Sequence, residues 1–134
     1  AVGLAQLEQI DWHISQRKRV ADLYQKYLKG TESLFQMQSV PADCKSVYWM
    51  NNVILSEHIK KSRDTVMEQM EQCSIEMRPV FYPMHIMPPY YDRTLSMPVA
   101  EGIAERGISL PSHALLSEED IAYICECLIR IVTK

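Results

Sequence analysis

The chain has 134 residues, a mass of 15.5 kDa and a formal net charge of −3, from 14 basic and 17 acidic side chains. With 47% hydrophobic and 23% charged residues it has the composition of one folded domain and not of a disordered chain. The acidic balance argues against a nucleic-acid binder that works by neutralising phosphates, and no apolar run approaches the roughly 18 residues of a membrane span.

Residues 3–29 carry Leu7, Ile10, Ile14, Ala21, Tyr24 and Leu28 at spacings of three, four and seven. That periodicity predicts one long lead-in helix over the first 30 residues, ended by Gly30 in left-handed backbone. Arg17 interrupts the apolar stripe, and Arg17-Lys18-Arg19 reads as a solvated face. Residues 31–46 read as a connector, with Pro41 and Asp43 in turns. Val47 to Leu55 is rich in β-branched and aromatic residues on both faces, which predicts a central strand. Ser62 is the N-cap of a helix with Val66, Met67 and Met70 on its apolar side. Ile75 to Tyr82 reads as a second strand. Alternation puts Ile75, Met77, Pro79 and Phe81 on one face and Glu76, Arg78, Val80 and Tyr82 on the other. Pro79 cannot donate to a ladder, so this strand belongs at an edge. Residues 83–96, with three prolines, read as an ordered loop. Pro98 opens a helix to Arg106, Gly107 stops it, and Ile108 to Leu110 is a short strand. Ser117 starts the last helix in a capping-box pattern, with Ile121, Ile124, Cys125, Leu128, Ile131 and Val132 on one face. This order predicts an α+β fold: a small, mainly antiparallel sheet covered by helices, in a single domain over residues 1–134.

Cys44, Cys73, Cys125 and Cys127 have neither zinc-ligand spacing nor a disulfide framework. They read as reduced and mostly buried thiols, which points to the cytoplasm. His13, His58, His85 and His113 are far apart, so no metal site is expected. There is no phosphate-binding glycine motif and no G-x-S-x-G, and no catalytic residue is expected in this chain. The segment Arg78-Pro79-Val80-Phe81-Tyr82-Pro83-Met84-His85 is the exception to this plainness. A guanidinium on an otherwise apolar strand suits a carboxylate or phosphate, and Tyr82 and His85 follow it in a stiffened loop. These three residues form one wall of a pocket for an anionic, hydroxylated ligand. Alternatively, Arg78 pairs with a local carboxylate such as Glu76 and the other two fill the domain edge. Tyr90 and Tyr91 read either as a packing ridge or as part of a subunit interface.

Several stretches resemble, in collinear order, the C-terminal part of the DegT/DnrJ/StrS sugar-nucleotide aminotransferases. They are Gly3-Leu4-Ala5-Gln6-Leu7-Glu8, the Arg78–His85 segment, Met87-Pro88-Pro89-Tyr90, Pro98-Val99-Ala100-Glu101, Arg106 to Ser112 and Ser117 to Ile121. The resemblance implies the small domain of the aspartate-aminotransferase (fold type I) architecture. It implies a full-length enzyme that uses pyridoxal phosphate to move an amino group from glutamate to a 4-keto-6-deoxy sugar nucleotide, with GDP the favoured carrier, for polysaccharide biosynthesis. It further implies a homodimer and a large domain that carries the Schiff-base lysine. None of the seven lysines here has the serine-and-aromatic context of that lysine, so no cofactor-binding residue is expected in this chain. Under the same resemblance Arg78 steers a carboxylate or phosphate, and Tyr82 and His85 contact the sugar nucleotide. Ala1-Val2-Gly3-Leu4 reads as the middle of a helix that enters this domain from a longer enzyme, and the chain alone is expected to be inactive. The alternative is a free-standing binding or dimerisation module that keeps the fold without the chemistry.

Overall fold

A computed structural model describes residues 2–134. Four strands, β1 (Phe35–Met37), β2 (Asn51–Leu55), β3 (Arg78–Pro79) and β4 (Gly107–Leu110), form one sheet in the order β1-β2-β4-β3. Every pairing is antiparallel, with Phe35 opposite Leu55, Val53 opposite Ile108 and Arg78 opposite Ser109. The helices are α1 (Val2–Leu7), α2 (Ile10–Tyr27), α3 (Arg63–Glu71), α4 (Pro98–Arg106) and α5 (Glu118–Thr133), of which the last four pack around the sheet. The architecture is the expected α+β one.

The core lies between the sheet and the helices α2, α3 and α5. Val53, Leu55, Ile108 and Leu110 face Val20, Tyr24, Val66, Met70, Ile121 and Leu128. All four residues of β4 are buried, because the sheet is covered on its second side by α4. That side depends on Gly107. A Cβ there would stand 2.5 Å from the Ile103 carbonyl oxygen and 2.6 Å from a Val80 methyl. The side chain of α5 that matters most to its start is Ser117, whose hydroxyl accepts from the Asp120 N–H while Asp120 accepts from the Ser117 N–H. Its predicted apolar face is buried throughout. Ser62 caps α3 as expected, accepting from the Thr65 N–H at 3.1 Å. Ser74, at φ 61°, ends α3 in the left-handed role usually given to glycine.

Several expectations are corrected. The lead-in helix is two helices, because the turn at Glu8 and Gln9 tightens and Gln9 leaves helical backbone. No residue of α1 is buried, so packing does not hold the two segments in one register. The connector over 31–46 contains β1, a three-residue strand too short and too polar at Gln36 to show as a pattern. The central strand begins at Asn51 and not at Val47, because Tyr48 sits at φ 45° and breaks the extended run. The strand expected over Ile75 to Tyr82 shrinks to Arg78–Pro79. It does lie at the sheet edge, where the missing Pro79 N–H costs nothing. Alternation fails after Pro79: Val80 is buried with its N–H on the Gly107 carbonyl, and Phe81 is exposed. Of the free cysteines only Cys125 and Cys127 are buried; Cys73 is half-buried and Cys44 is exposed. Arg17 and Arg19 are not simply solvated. They donate to the carbonyls of Trp49, and of Ala114 and Leu116, tying α2 to two loops. Among the described residues no helix is long and apolar enough to cross a membrane, and no three His, Cys, Asp or Glu side chains stand together as a metal site.

Candidate functional site

The segment after β3 leaves the sheet because Pro83 follows two residues that have no strand partner. It then folds into short helical turns at Met84–Ile86 and Pro88–Tyr90. Phe81, Tyr82, Met84, Tyr90 and Tyr91 are exposed along it, whereas His85 is buried to 8% exposure. A proline-rich segment held this way presents aromatic side chains with little conformational freedom to lose on binding.

Two buried side chains, Arg63 and His85, brace the segment from below. Arg63, at the first turn of α3, is 9% exposed. It donates to the Asp64 carboxylate, to the Ala104 carbonyl near the end of α4, and at 3.5 Å to the Tyr82 hydroxyl. Its guanidinium also lies 5.8 Å from the centre of the Tyr82 ring. On the other side His85 Nε2 is 2.8 Å from Glu101 Oε1, on α4. The Met97 N–H, first, and His85, second, hold the Glu101 carboxyl below the usual carboxylate range. The His85 carbonyl accepts from the Asp92 N–H at 3.0 Å. Asp92 is itself held low by the Thr94 hydroxyl and N–H, with a smaller contribution from His85.

Arg78 belongs to a different surface. Its side chain is exposed, and it pairs at 3.1 Å with the equally exposed Glu76. It lines an open cleft of about 1000 Å³ together with Arg17, Trp49, Ser112, His113 and Tyr123. Neither Tyr82 nor His85 lines that cleft, and among the described residues no hydrogen bond or ion pair joins either of them to Arg78. The structure therefore brings Tyr82 and His85 together through α3 and α4, and sets Arg78 apart on the cleft side. The shared strand face expected for Arg78 and Tyr82 is lost where alternation fails at Pro79.

Sequence reasoning missed Arg63 and Glu101. Both had a local signal: each stands in the first turn of a helix, one after the Ser62 cap and one after Pro98. An arginine at a helix start is unfavourable for the helix dipole, which is a hint that tertiary contacts hold it there. No lysine lines the large cleft. Lys26 pairs with Glu118, and Lys61 donates to the Ile131 carbonyl and Gln69. Lys29 lines a smaller cavity with Leu28, Glu32 and Phe35.

The profile of the DegT/DnrJ/EryC1/StrS aminotransferase family matches residues 1–129. The chain belongs to this family. It is 38% identical over 133 residues to the GDP-perosamine synthase of Caulobacter vibrioides, a match that covers 98% of this chain and 36% of that protein. It is 40% identical over 128 residues to the GDP-perosamine synthase of Escherichia coli O157:H7, covering 96% of this chain and 34% of that protein. The chain thus spans about a third of the length of the curated relatives it matches. Among solved structures, the aminotransferase PseC of Helicobacter pylori superposes with a TM-score of 0.87 at 20% identity, over 98% of this chain and 36% of that one. DesI, solved with its TDP-sugar product, superposes with a TM-score of 0.89 at 22% identity, over 98% and 34%. These superpositions establish the fold as the one found in this part of the aminotransferases.

Proposed function

We propose that this chain is the C-terminal, small domain of a longer pyridoxal-phosphate aminotransferase, which moves an amino group from glutamate to a GDP-linked 4-keto-6-deoxy sugar of the perosamine type. The observation that carries this reading is the 38–40% identity to two GDP-perosamine synthases over nearly the whole of this chain. When bound, pyridoxal phosphate supplies the electron sink for such an exchange. In this reading its covalent anchorage belongs to a lysine outside this chain, because none of the seven lysines here stands in the serine-and-aromatic context of the family's Schiff-base lysine. The role of this domain is to bind and orient. Tyr82 and His85, on the braced loop, contact the sugar nucleotide, and Arg78 steers a carboxylate or phosphate at the cleft. The exposed apolar side chains of α1 and the first half of α2 are the surface for the large domain, and a second subunit completes a cytoplasmic homodimer.

The test begins with the reading frame upstream of residue 1. A lysine-bearing domain is expected there, and the longer protein is expected to convert glutamate and GDP-4-keto-6-deoxymannose to 2-oxoglutarate and a GDP-4-amino sugar. Absence of any such domain would leave a free-standing binding or dimerisation module. Mixed alone with pyridoxal phosphate and then reduced with borohydride, this chain is expected to give no saturable adduct. A stoichiometric adduct at a single lysine would overturn the view that it is inactive by itself.

A further inference from the structure

Glu101 Oε1 accepts two hydrogen bonds, from the Met97 backbone N–H at 2.7 Å and from His85 Nε2 at 2.8 Å. A backbone amide only donates, and an ionised carboxylate only accepts. The proton between Glu101 and His85 therefore sits on Nε2, and in the neutral ring Nδ1 is left as an acceptor. Nδ1 has no hydrogen-bond partner among the described residues, and it is not among their fully buried, unpartnered atoms. The residue as a whole is buried, and its backbone carbonyl accepts from the Asp92 N–H. One carboxylate, that of Glu101 on α4, thus meets the ring, while the Asp92 carboxylate is taken up by Thr94.

We propose that Glu101 is the positioning residue for His85: it holds the imidazole in the Nε2–H form, so that Nδ1 is presented as a hydrogen-bond acceptor to a hydroxyl of the sugar nucleotide. The inference rests on the reading of His85 as a substrate contact and adds what that contact selects. A neutral acceptor nitrogen takes an O–H donor and rejects a phosphate oxygen, which also only accepts. Fixing the ring in one tautomer removes the cost of reorienting it when substrate arrives. The fixed scaffold is α4, which carries Glu101 and receives Arg63 at the Ala104 carbonyl, so Tyr82 and His85 are indexed to one helix.

Two measurements test this separately. In the 15N-labelled chain under alkaline conditions, His85 is expected to show one tautomer with an exchange-protected proton on Nε2. That protection is expected to vanish in Glu101→Ala and to persist in Glu101→Gln, whose amide oxygen still accepts and still caps Met97. No protected Nε2 proton in the unaltered chain, or one unchanged in Glu101→Ala, overturns the proposal. In the longer enzyme, His85→Ala and Glu101→Ala are each expected to raise KM for the sugar nucleotide by up to about tenfold, the loss of one hydrogen bond. The double variant is expected to be no worse than His85→Ala alone. Additive losses would mean that Glu101 acts independently of His85 and would overturn the proposal. An unchanged KM in His85→Ala alongside an intact protected proton would instead sink the substrate reading, and with it the hydroxyl-selecting role, while the pairing stood.

Discussion

The two ends of one apolar stripe meet opposite fates. Ala21, Tyr24 and Leu28 are buried, Tyr24 completely, with its hydroxyl on the Pro111 carbonyl at 2.8 Å. Leu7, Ile10 and Ile14 continue the same spacing towards the N-terminus and remain exposed, as do Val2, Leu4 and Trp12. Local sequence is equally amphipathic in both. What differs is the presence of α5 and the sheet beneath the C-terminal half of α2 and of nothing beneath α1. A periodic stripe states that a helix has a face to bury; it does not state against what. An exposed apolar face of this extent normally marks a missing partner.

The comparison is broken most sharply by matched truncations. Leu128→Ala, in the fully buried face of α5, is expected to cost about 2–5 kcal/mol in urea denaturation. Leu7→Ala is expected to change stability by no more than about 0.5 kcal/mol. It is instead expected to weaken self-association seen by light scattering at high concentration. Equal stability losses for the two would show that the exposed half is not unpartnered, and a strictly monomeric chain at every concentration would show that this face does not pair with a second copy.

Next in size is the start of α5, which carries the buried side of the contrast. Ser117→Ala removes the hydroxyl that accepts from Asp120 N–H and is expected to cost about 1 kcal/mol. A midpoint unchanged within error would mean that packing alone fixes the helix start.

The acid limb sharpens the same point. The Ser117 N–H, first, and its hydroxyl hold Asp120 low, and Glu101 and Asp92 are held low on the loop side. A carboxyl whose pKa is lower folded than unfolded contributes stability above its unfolded value, near 4, and loses it as pH falls through the folded one. Unfolding midpoints are therefore expected to fall on acidification below about pH 4, with a shallower fall in Asp120→Asn. A flat profile would contradict the hydrogen bonds that hold these groups.

An equally small effect on stability belongs to Arg78→Ala. Its pair with Glu76 is exposed on both sides, so the loss is expected to stay within about 0.5 kcal/mol. In the longer enzyme the same variant is expected to raise KM. Unchanged kinetics with a lowered melting temperature would make the arginine structural.

The α+β class, the capped starts of α3 and α5, the stop at Gly107 and the edge placement of β3 were all legible in the sequence. Each rests on a local rule: a serine oxygen within reach of a free N–H, a backbone that needs room, a proline that cannot donate. The pairing of β1 was not legible, because three residues carry too little pattern and their stability comes from β2. The Tyr82 and His85 segment was legible as unusual, through its prolines and aromatics. Its supports were not, because Arg63 lies 19 residues before Tyr82 and Glu101 lies 16 after His85.

By itself the sequence determined the α+β class, the helices α3, α4 and α5, and the collinear motifs that mark the aminotransferase family. Only the tertiary structure decided which half of α2 is buried, that Arg78 stands apart from Tyr82 and His85, and that Glu101 comes within 2.8 Å of His85 Nε2. Local rules act over a few residues of backbone. Burial and proton placement depend on which distant groups arrive within hydrogen-bond and packing distance.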